Sequence, residues 1–289
     1  MTKNNEKTKT NVFSLIKSSI QNLYSHQEIL FPFAIICLFQ LLFLEIIYFL
    51  PRKPLILFFG PVISAFWSEN FLHYPLYFYL LPKLFQLSLF FLFIFVSNYF
   101  IGVAIAVIAK VNSGKSVNFN NVFKETFSSY VHILVAATIT FIFMILFFKG
   151  YDVIFKRALQ IQSTSGKFFM LKQIVILGAP YFNLLFSVFL TTIFAYVLPM
   201  IVIDKKKVFA AIILNIKEVL RSPIITFVIV LIPTLFYVPI LILRTNWDVM
   251  SFSPELSVLL LILGILVSIV VDAVVYTALT TRYLLKQEG

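Results

Sequence analysis

The Gly-Lys-Ser sequence at 114–116 matches the end of a phosphate-binding P-loop, so nucleotide binding is the first chemistry to consider. A complete P-loop has another glycine five positions earlier, on a turn between a strand and a helix. Ala109 occupies that position, and the residues before it end a long apolar run. The sequence therefore predicts no nucleotide binding. Gly114 suits a helix break instead, and Asn118 is placed to cap a helix beginning at Phe119.

Residue types that support catalysis or metal binding are sparse in this chain. Its only histidines are His26, His73 and His132, and none has a metal-ligating neighbour at helical spacing. Its single cysteine, Cys37, provides neither a disulfide framework nor a Cys-based metal site. The Gly-x-Ser-x-Gly nucleophile motif is also missing. We therefore predict no catalytic residues, no metal and no cofactor, and hence no enzyme.

Polar side chains inside long apolar segments are the remaining candidates, because polar groups in a bilayer are costly. We predict an intramembrane polar site from this set: Asp272, Asn98, Asn183 and Glu45. Glu45 and Asp272 differ by about 12 Å in depth, from the helical rise, so they cannot share a proton or a metal. One interpretation is a proton or cation relay with one carboxylate toward each face. The other is that Glu45 reaches the headgroups while Asp272 is hydrogen-bonded inside the bundle.

Composition identifies the elements that position these residues. Hydrophobic residues make up 61% of the chain and charged residues 12%. Soluble domains are about half apolar and about a quarter charged. About 20 apolar residues are needed for a helix to cross a bilayer. The sequence predicts an all-α membrane protein with six transmembrane helices, at 29–50, 84–109, 131–149, 174–203, 223–243 and 256–281.

The formal charge of +11 is spread over the loops beside these spans. That distribution argues against a nucleic-acid partner and favours anionic lipid headgroups, at about 1 kcal/mol per surface Lys or Arg. The side of the membrane that holds the N-terminus carries 14 Lys and Arg residues, two of them after the sixth span, and the opposite side carries 9. The positive-inside rule then predicts a cell-membrane protein with both termini in the cytoplasm.

Short amphipathic segments precede the first, third and fifth spans, at 12–24, 119–130 and 208–221. Each has helical spacing with an apolar face opposite a polar face, and the polar face of the third includes Asn215. We interpret the chain as a threefold repeat of interfacial helix, span, loop and span. The alternative is a chance alignment of amphipathic linkers. The predicted organisation is a polar tail at 1–11, one membrane domain at 12–283 and a C-terminal tail at 284–289.

The segment at 51–83, between the first two spans, is apolar and aromatic but is interrupted by prolines. We expect it to lie along the outer interface, where Trp and Tyr are favoured, and not to span the bilayer.

Three stretches carry a family resemblance: "AKVNSGKSVNFNNVFKETFSSYVHILVAA", "FAYVLPMIVIDKKKVFAAIILNIKEVLRSPIITFVIV" and "VVYTALTTRYLLKQ". They resemble uncharacterised bacterial six-helix integral membrane proteins related to the membrane domain of glycerophosphoryl diester phosphodiesterases. Pro199, Asp204, Ala210 and Ala211 occupy the proline, acidic and alanine positions of that family. Some members carry a soluble phosphodiesterase barrel opening with His-Arg-Gly, a motif this sequence lacks. The resemblance implies a membrane module without assigned chemistry.

Two functional interpretations follow. The first is a non-enzymatic membrane protein that organises or assists membrane components, with basic interfacial helices contacting lipid, a membrane-protein partner or a second copy of the chain. The second is a transporter or lipid-handling permease with a path lined by Asp272. A hydrated cavity that reaches Asp272 distinguishes them, because a transporter needs one and a scaffold does not.

Overall fold

A computed structural model describes residues 11–160, 166–245 and 253–287. These ranges contain thirteen α-helices and no strand: α1 (Val12–Ser25), α2 (Leu30–Phe49), α3 (Leu55–Phe66), α4 (Leu76–Leu92), α5 (Asn98–Asn112), α6 (Phe119–Phe127), α7 (Tyr130–Leu159), α8 (Gly166–Ile193), α9 (Val197–Val202), α10 (Val208–Arg221), α11 (Pro223–Thr234), α12 (Val238–Thr245) and α13 (Leu256–Gln287).

Within the described ranges, six helical segments are long and apolar enough to cross a membrane. In chain order, spans one to six are Gln27–Phe49, Leu76–Asn112, Tyr130–Leu159, Lys172–Val202, Pro223–Thr245 and Leu256–Gln287. The prediction of an all-α chain with six spans is confirmed at this level.

Two span boundaries differ from the sequence prediction by eight residues or more, and span six ends at Gln287, six residues past its predicted end. Span two begins at Leu76, eight residues before the predicted start, so the last part of the 51–83 segment is helical and belongs to the span. Pro82 lies inside α4, which membrane helices tolerate because neighbouring groups satisfy the freed backbone. Span three continues to Leu159, ten residues past the predicted end. Both helices extend beyond their most apolar stretch, which is the part that hydropathy detects.

Span six occupies the centre of the bundle. Its helix α13 packs against α1, α2, α4, α5, α11 and α12. The contact face contains small or β-branched side chains that are almost fully buried, including Ala273, Val275 and Ala278. Small residues let helices approach closely in a membrane, where van der Waals packing replaces the hydrophobic effect between helices.

Spans two and four each contain a break in regular α-helix. A π-helical turn at Phe93–Ser97 separates α4 from α5, and the amide of Asn98 donates to the Phe93 carbonyl at 2.6 Å. Span four is interrupted between Ile193, where α8 ends, and Val197, where α9 begins. Breaks release backbone groups that must find other partners inside a bilayer.

Asn215 of α10 supplies those partners for the break in span four. Its Oδ1 accepts from the Tyr196 backbone N–H at 2.9 Å, and its Nδ2 donates to the Ile193 carbonyl at 2.5 Å. The side chain is 1% exposed. The sequence places Asn215 on the polar face of α10, and in the structure this position is buried, because the amide faces span four and replaces its missing helical hydrogen bonds.

The short helices α1, α6 and α10 lie at the same end of the bundle, called here the α10 end. Lys110 at the end of α5 pairs with Glu125 of α6 at 2.9 Å, and the Lys205 ammonium donates to the Glu125 carbonyl at 3.0 Å. The helix break and cap predicted before α6 are confirmed. Gly114 has a φ of +66°, and Asn118 caps the helix by accepting from the Asn121 N–H at 3.3 Å.

Candidate functional site

Asn98 and Asn183, predicted as intramembrane polar residues, line one cavity of about 290 Å³. The aromatic cavity, as we call it, lies among span two, α7, α8, α9 and α13, and Tyr276 of α13 also lines it. Its remaining walls are mostly apolar and include Phe90, Phe93, Met144, Phe148, Phe186 and Leu190. A pocket with apolar walls and a few polar groups is typical of a site for small or amphipathic ligands.

Asp272 lines a second cavity, of about 210 Å³, between α8, span five and α13. In this Asp272 cavity the carboxylate is accompanied by hydroxyl groups from Thr234, Tyr237 and Ser268. Ser187 and Thr191 of α8 line both this cavity and the aromatic cavity. The two cavities therefore share a wall of hydroxyl groups on α8.

A third cavity, of about 350 Å³, shares lining residues with the Asp272 cavity and none of its described lining residues with the aromatic cavity. This Arg244 cavity has several polar groups, including Gln40, Gln86 and the Arg244 guanidinium, which donates to the Tyr237 hydroxyl at 3.1 Å. Tyr237 and Ser268 line both this cavity and the Asp272 cavity. The three cavities thus form a consecutive series, with Asp272 in the middle member.

The Asp272 carboxylate makes no hydrogen bond or ion pair with any residue that the structure describes. Tyr276 follows it by one helical turn, so the two side chains share a face of α13. Hydroxyl groups line the cavity around the carboxylate without bonding to it. The wall therefore presents a carboxylate to the cavity.

The acidic side chains of the spans do not meet. Glu45 is exposed on α2 and lines none of the three cavities, so the four predicted polar residues do not form one site. Asn98 and Asn183 come together, Asp272 adjoins them, and Glu45 lies apart. Across the described ranges, no group of three or more His, Cys, Asp or Glu side chains is placed to hold a metal ion.

A cleft of about 960 Å³ opens at the α10 end between α9, α10 and the end of α13. Five basic and two acidic side chains line it, an excess of three positive charges: Lys206, Lys217, Arg221, Arg282 and Lys286, with Asp204 and Glu218. The basic cleft, as we call it, shares no lining residue with the three cavities.

Arg282 is the buried cation of the basic cleft. The count of Lys and Arg by side includes Arg282 among the charges after span six, and in the structure its side chain is only 5% exposed. Its guanidinium donates to the Thr226 hydroxyl at 2.9 Å and to the Ser222 hydroxyl at 2.5 Å. Ser222 and Thr226 are one helical turn apart at the start of span five, but nothing in the sequence pairs them with Arg282. Sequence reasoning missed this group for that reason.

The two carboxylates on the cleft wall, Glu218 and Asp204, already bind other side chains of the protein. Glu218 pairs with Lys286 at 2.5 Å and with Arg221 at 3.3 Å. Partial burial raises the pKa of Glu218, but the two cations outweigh it, so the net pKa lies below the ordinary glutamate value. Asp204 accepts from the Tyr283 hydroxyl at 2.6 Å and the Gln287 amide at 2.9 Å, which are both neutral donors.

Comparisons of the chain with protein families, with curated proteins and with solved structures find no match. The resemblance to bacterial six-helix membrane proteins therefore stays a prediction.

Proposed function

We propose that this protein is a membrane permease for amphipathic molecules, with a path lined by Asp272. The observation that carries the proposal is the series of three cavities that share lining residues and have Asp272 in the middle. A carboxylate in the middle of a membrane helix costs about 2.5–3.5 kcal/mol even on insertion scales. A scaffold has no use for such a group on a cavity wall, whereas a transport path does.

The walls of the cavities favour amphipathic substrates. Aromatic and aliphatic side chains dominate the aromatic cavity, and its polar groups are amides and hydroxyls. Two of these polar residues, Asn183 and Ser187, are exposed on the surface of α8. A molecule with apolar chains and a polar headgroup can therefore approach from the bilayer and keep its headgroup near polar side chains.

Cysteine accessibility tests whether the path holds water. In a Cys37→Ser background, we expect Ser268→Cys and Ser187→Cys to react with a charged methanethiosulfonate reagent, because the reactive thiolate forms only where water is present. The matched control is Val270→Cys, two residues from Ser268 on the same helix. The Val270 side chain is 62% exposed on the outer surface of the bundle, so the cysteine should not react. Labelling is measured by mass spectrometry of the protein in liposomes. If neither cavity position reacts, the path is dry and the permease proposal fails.

The three short helices favour a second function, in which the protein organises or assists other membrane components. Their surfaces carry large exposed apolar side chains, including Tyr24 of α1, Phe127 of α6, and Phe209 and Leu220 of α10. Such faces suit the membrane interface, with the basic residues of the same helices near anionic headgroups. This arrangement supports the proposed threefold repeat and contacts with lipid, a membrane-protein partner or a second copy.

We further propose a bacterial cell membrane as the location, with both termini in the cytoplasm, on the basis of the family resemblance and the charge asymmetry. An impermeant maleimide added to intact cells should label Lys53→Cys, before α3, and should not label Lys115→Cys, before α6, in the Cys37→Ser background. Both lysines are exposed, so access to each thiol depends on its side of the membrane. Lysed cells provide the control, in which both positions react. The reverse pattern in intact cells would invert the topology.

A further inference from the structure

The basic cleft contains a buried cation that no carboxylate of the described residues neutralises. An arginine keeps its charge when buried, and buried charges in proteins are normally paired. Arg282 forms no ion pair with the carboxylates of the described residues, and its two hydrogen bonds go to neutral hydroxyls. These two hydroxyls accept from two of the five N–H donors of the guanidinium and leave its charge uncompensated.

A second cation approaches the same hydroxyl group. The Lys286 ammonium donates to Ser222 at 3.2 Å, while Arg282 donates to it at 2.5 Å. Glu218 compensates Lys286 and Arg221, and Asp204 binds neutral donors. Lys206 and Lys217 add two more charges on the walls, and neither forms an ion pair with a described residue. The positive excess therefore has no protein partner in the described ranges.

We infer that the basic cleft binds a phosphate-type oxyanion, supplied either by a phospholipid headgroup or by a soluble phosphate ester. The planar donor fork of Arg282 and the two wall lysines match the several acceptor oxygens of a phosphate group. The start of α11 adds a partial positive charge, and its Ser222 hydroxyl does not cap the helix.

The composition of the walls indicates which part of a ligand the cleft accepts. Of the twelve described residues that line the cleft, ten carry a charged or polar group and the other two are Met200 and Leu214, so the cleft suits a hydrophilic headgroup. The aromatic cavity, in contrast, is lined mostly by apolar side chains. The phosphate site does not depend on the proposed permease function, because the basic cleft and the cavities share no lining residue.

Binding to the purified full chain in nanodiscs of neutral phosphatidylcholine tests this inference. The probes are radiolabelled inorganic phosphate, glycerol 3-phosphate and dioleoyl phosphatidic acid, the last counted by native mass spectrometry. We expect Arg282→Gln to weaken binding by about tenfold or more, because it removes a charge-assisted hydrogen bond. Lys115→Gln, an exposed charge at the α10 end outside the cleft, is the matched control and should bind like the native chain.

A second variant separates binding from folding, because Arg282 is buried. Lys206→Gln combined with Lys217→Gln changes two wall side chains that form no ion pair within the described ranges, so the fold should be retained. This double variant should also bind more weakly than Lys115→Gln. Phosphatidic acid bound without the soluble probes identifies a lipid headgroup, and binding of the soluble probes identifies a phosphate ester. Native-level binding by the double variant, or no binding of any probe to the native chain, would overturn the inference.

Discussion

Asp272→Asn is expected to abolish the exchange of a fluorescent phospholipid between bilayer leaflets, which the native chain should accelerate in liposomes. Asparagine keeps the size and the hydrogen-bonding capacity of aspartate but cannot take up or release a proton. The carboxylate lies on the wall of the Asp272 cavity. It forms no hydrogen bond or ion pair with a described residue, so no contact of this kind gives it a structural role. The expected loss is therefore a loss of transport, with little change in stability.

The measurement uses liposomes containing the purified chain and a trace of nitrobenzoxadiazole-labelled phosphatidylcholine. Dithionite added outside reduces only the label in the outer leaflet. The inner label becomes accessible only when lipid crosses the bilayer. Native protein should expose the inner label, and the Asp272→Asn variant should behave like protein-free liposomes. Phosphatidylcholine is chosen because its choline balances the charge of its phosphate, so that binding in the basic cleft contributes less than it would for an anionic lipid.

Two further variants separate transport from folding. Val270→Asn places the same amide on the exposed face of α13 and should leave exchange intact. Asp272→Leu should abolish exchange as well, because it also removes the titrating group. Should both Asp272 variants retain native exchange, the carboxylate has no part in transport. A lower melting temperature for Asp272→Leu alone would then indicate a structural role.

The sequence predicts the six spans because hydropathy depends only on local composition. The starts of α1, α6 and α10 at Val12, Phe119 and Val208 agree with the predicted 12–24, 119–130 and 208–221 because amphipathic spacing is local as well. Boundaries such as Leu76 and Leu159 were missed because helices continue past the apolar window. Hydropathy and amphipathic spacing thus predict which helices exist but not the residues at which they end.

The candidate sites depend on contacts between distant parts of the chain. Asp272 and the two asparagines stand out in sequence because polar residues are rare in apolar runs, although sequence alone does not indicate that Glu45 lies apart. Arg282 does not stand out, because a basic residue at the end of a span is ordinary. Its burial depends on Ser222 and Thr226, which are about 60 residues earlier in the chain and reach it only through the packing of α11 against α13.

Asn215→Leu is expected to destabilise the protein strongly, by about 2–6 kcal/mol, since an unsatisfied buried backbone group costs about 1–3 kcal/mol and two are created. The variant keeps the approximate size of the side chain but removes both hydrogen bonds to the break in span four. The Tyr196 N–H and the Ile193 carbonyl then lie buried without partners. Thermal unfolding of the purified protein in detergent should show a clearly lower melting temperature.

Two further variants test whether the loss of stability comes from the missing Asn215 hydrogen bonds. Asn121→Leu changes an exposed asparagine of α6 and should leave the melting temperature nearly unchanged. Asn215→Asp keeps the acceptor for the Tyr196 N–H but places a carboxylate oxygen against the Ile193 carbonyl, so it should also destabilise. If Asn215→Leu melts like Asn121→Leu, the break is held by packing alone.

The break in span four also connects the two candidate sites. The residues on either side of Tyr196, Ala195 and Val197, line the aromatic cavity, while the Tyr196 ring lies 5.8 Å from the Tyr283 ring and 5.5 Å from the Lys286 ammonium at the basic cleft. Asn215→Leu should therefore weaken phosphate binding in the basic cleft together with the melting temperature. Destabilisation with native phosphate binding would show that the cleft forms without the Asn215 hydrogen bonds, and that the two sites are structurally independent.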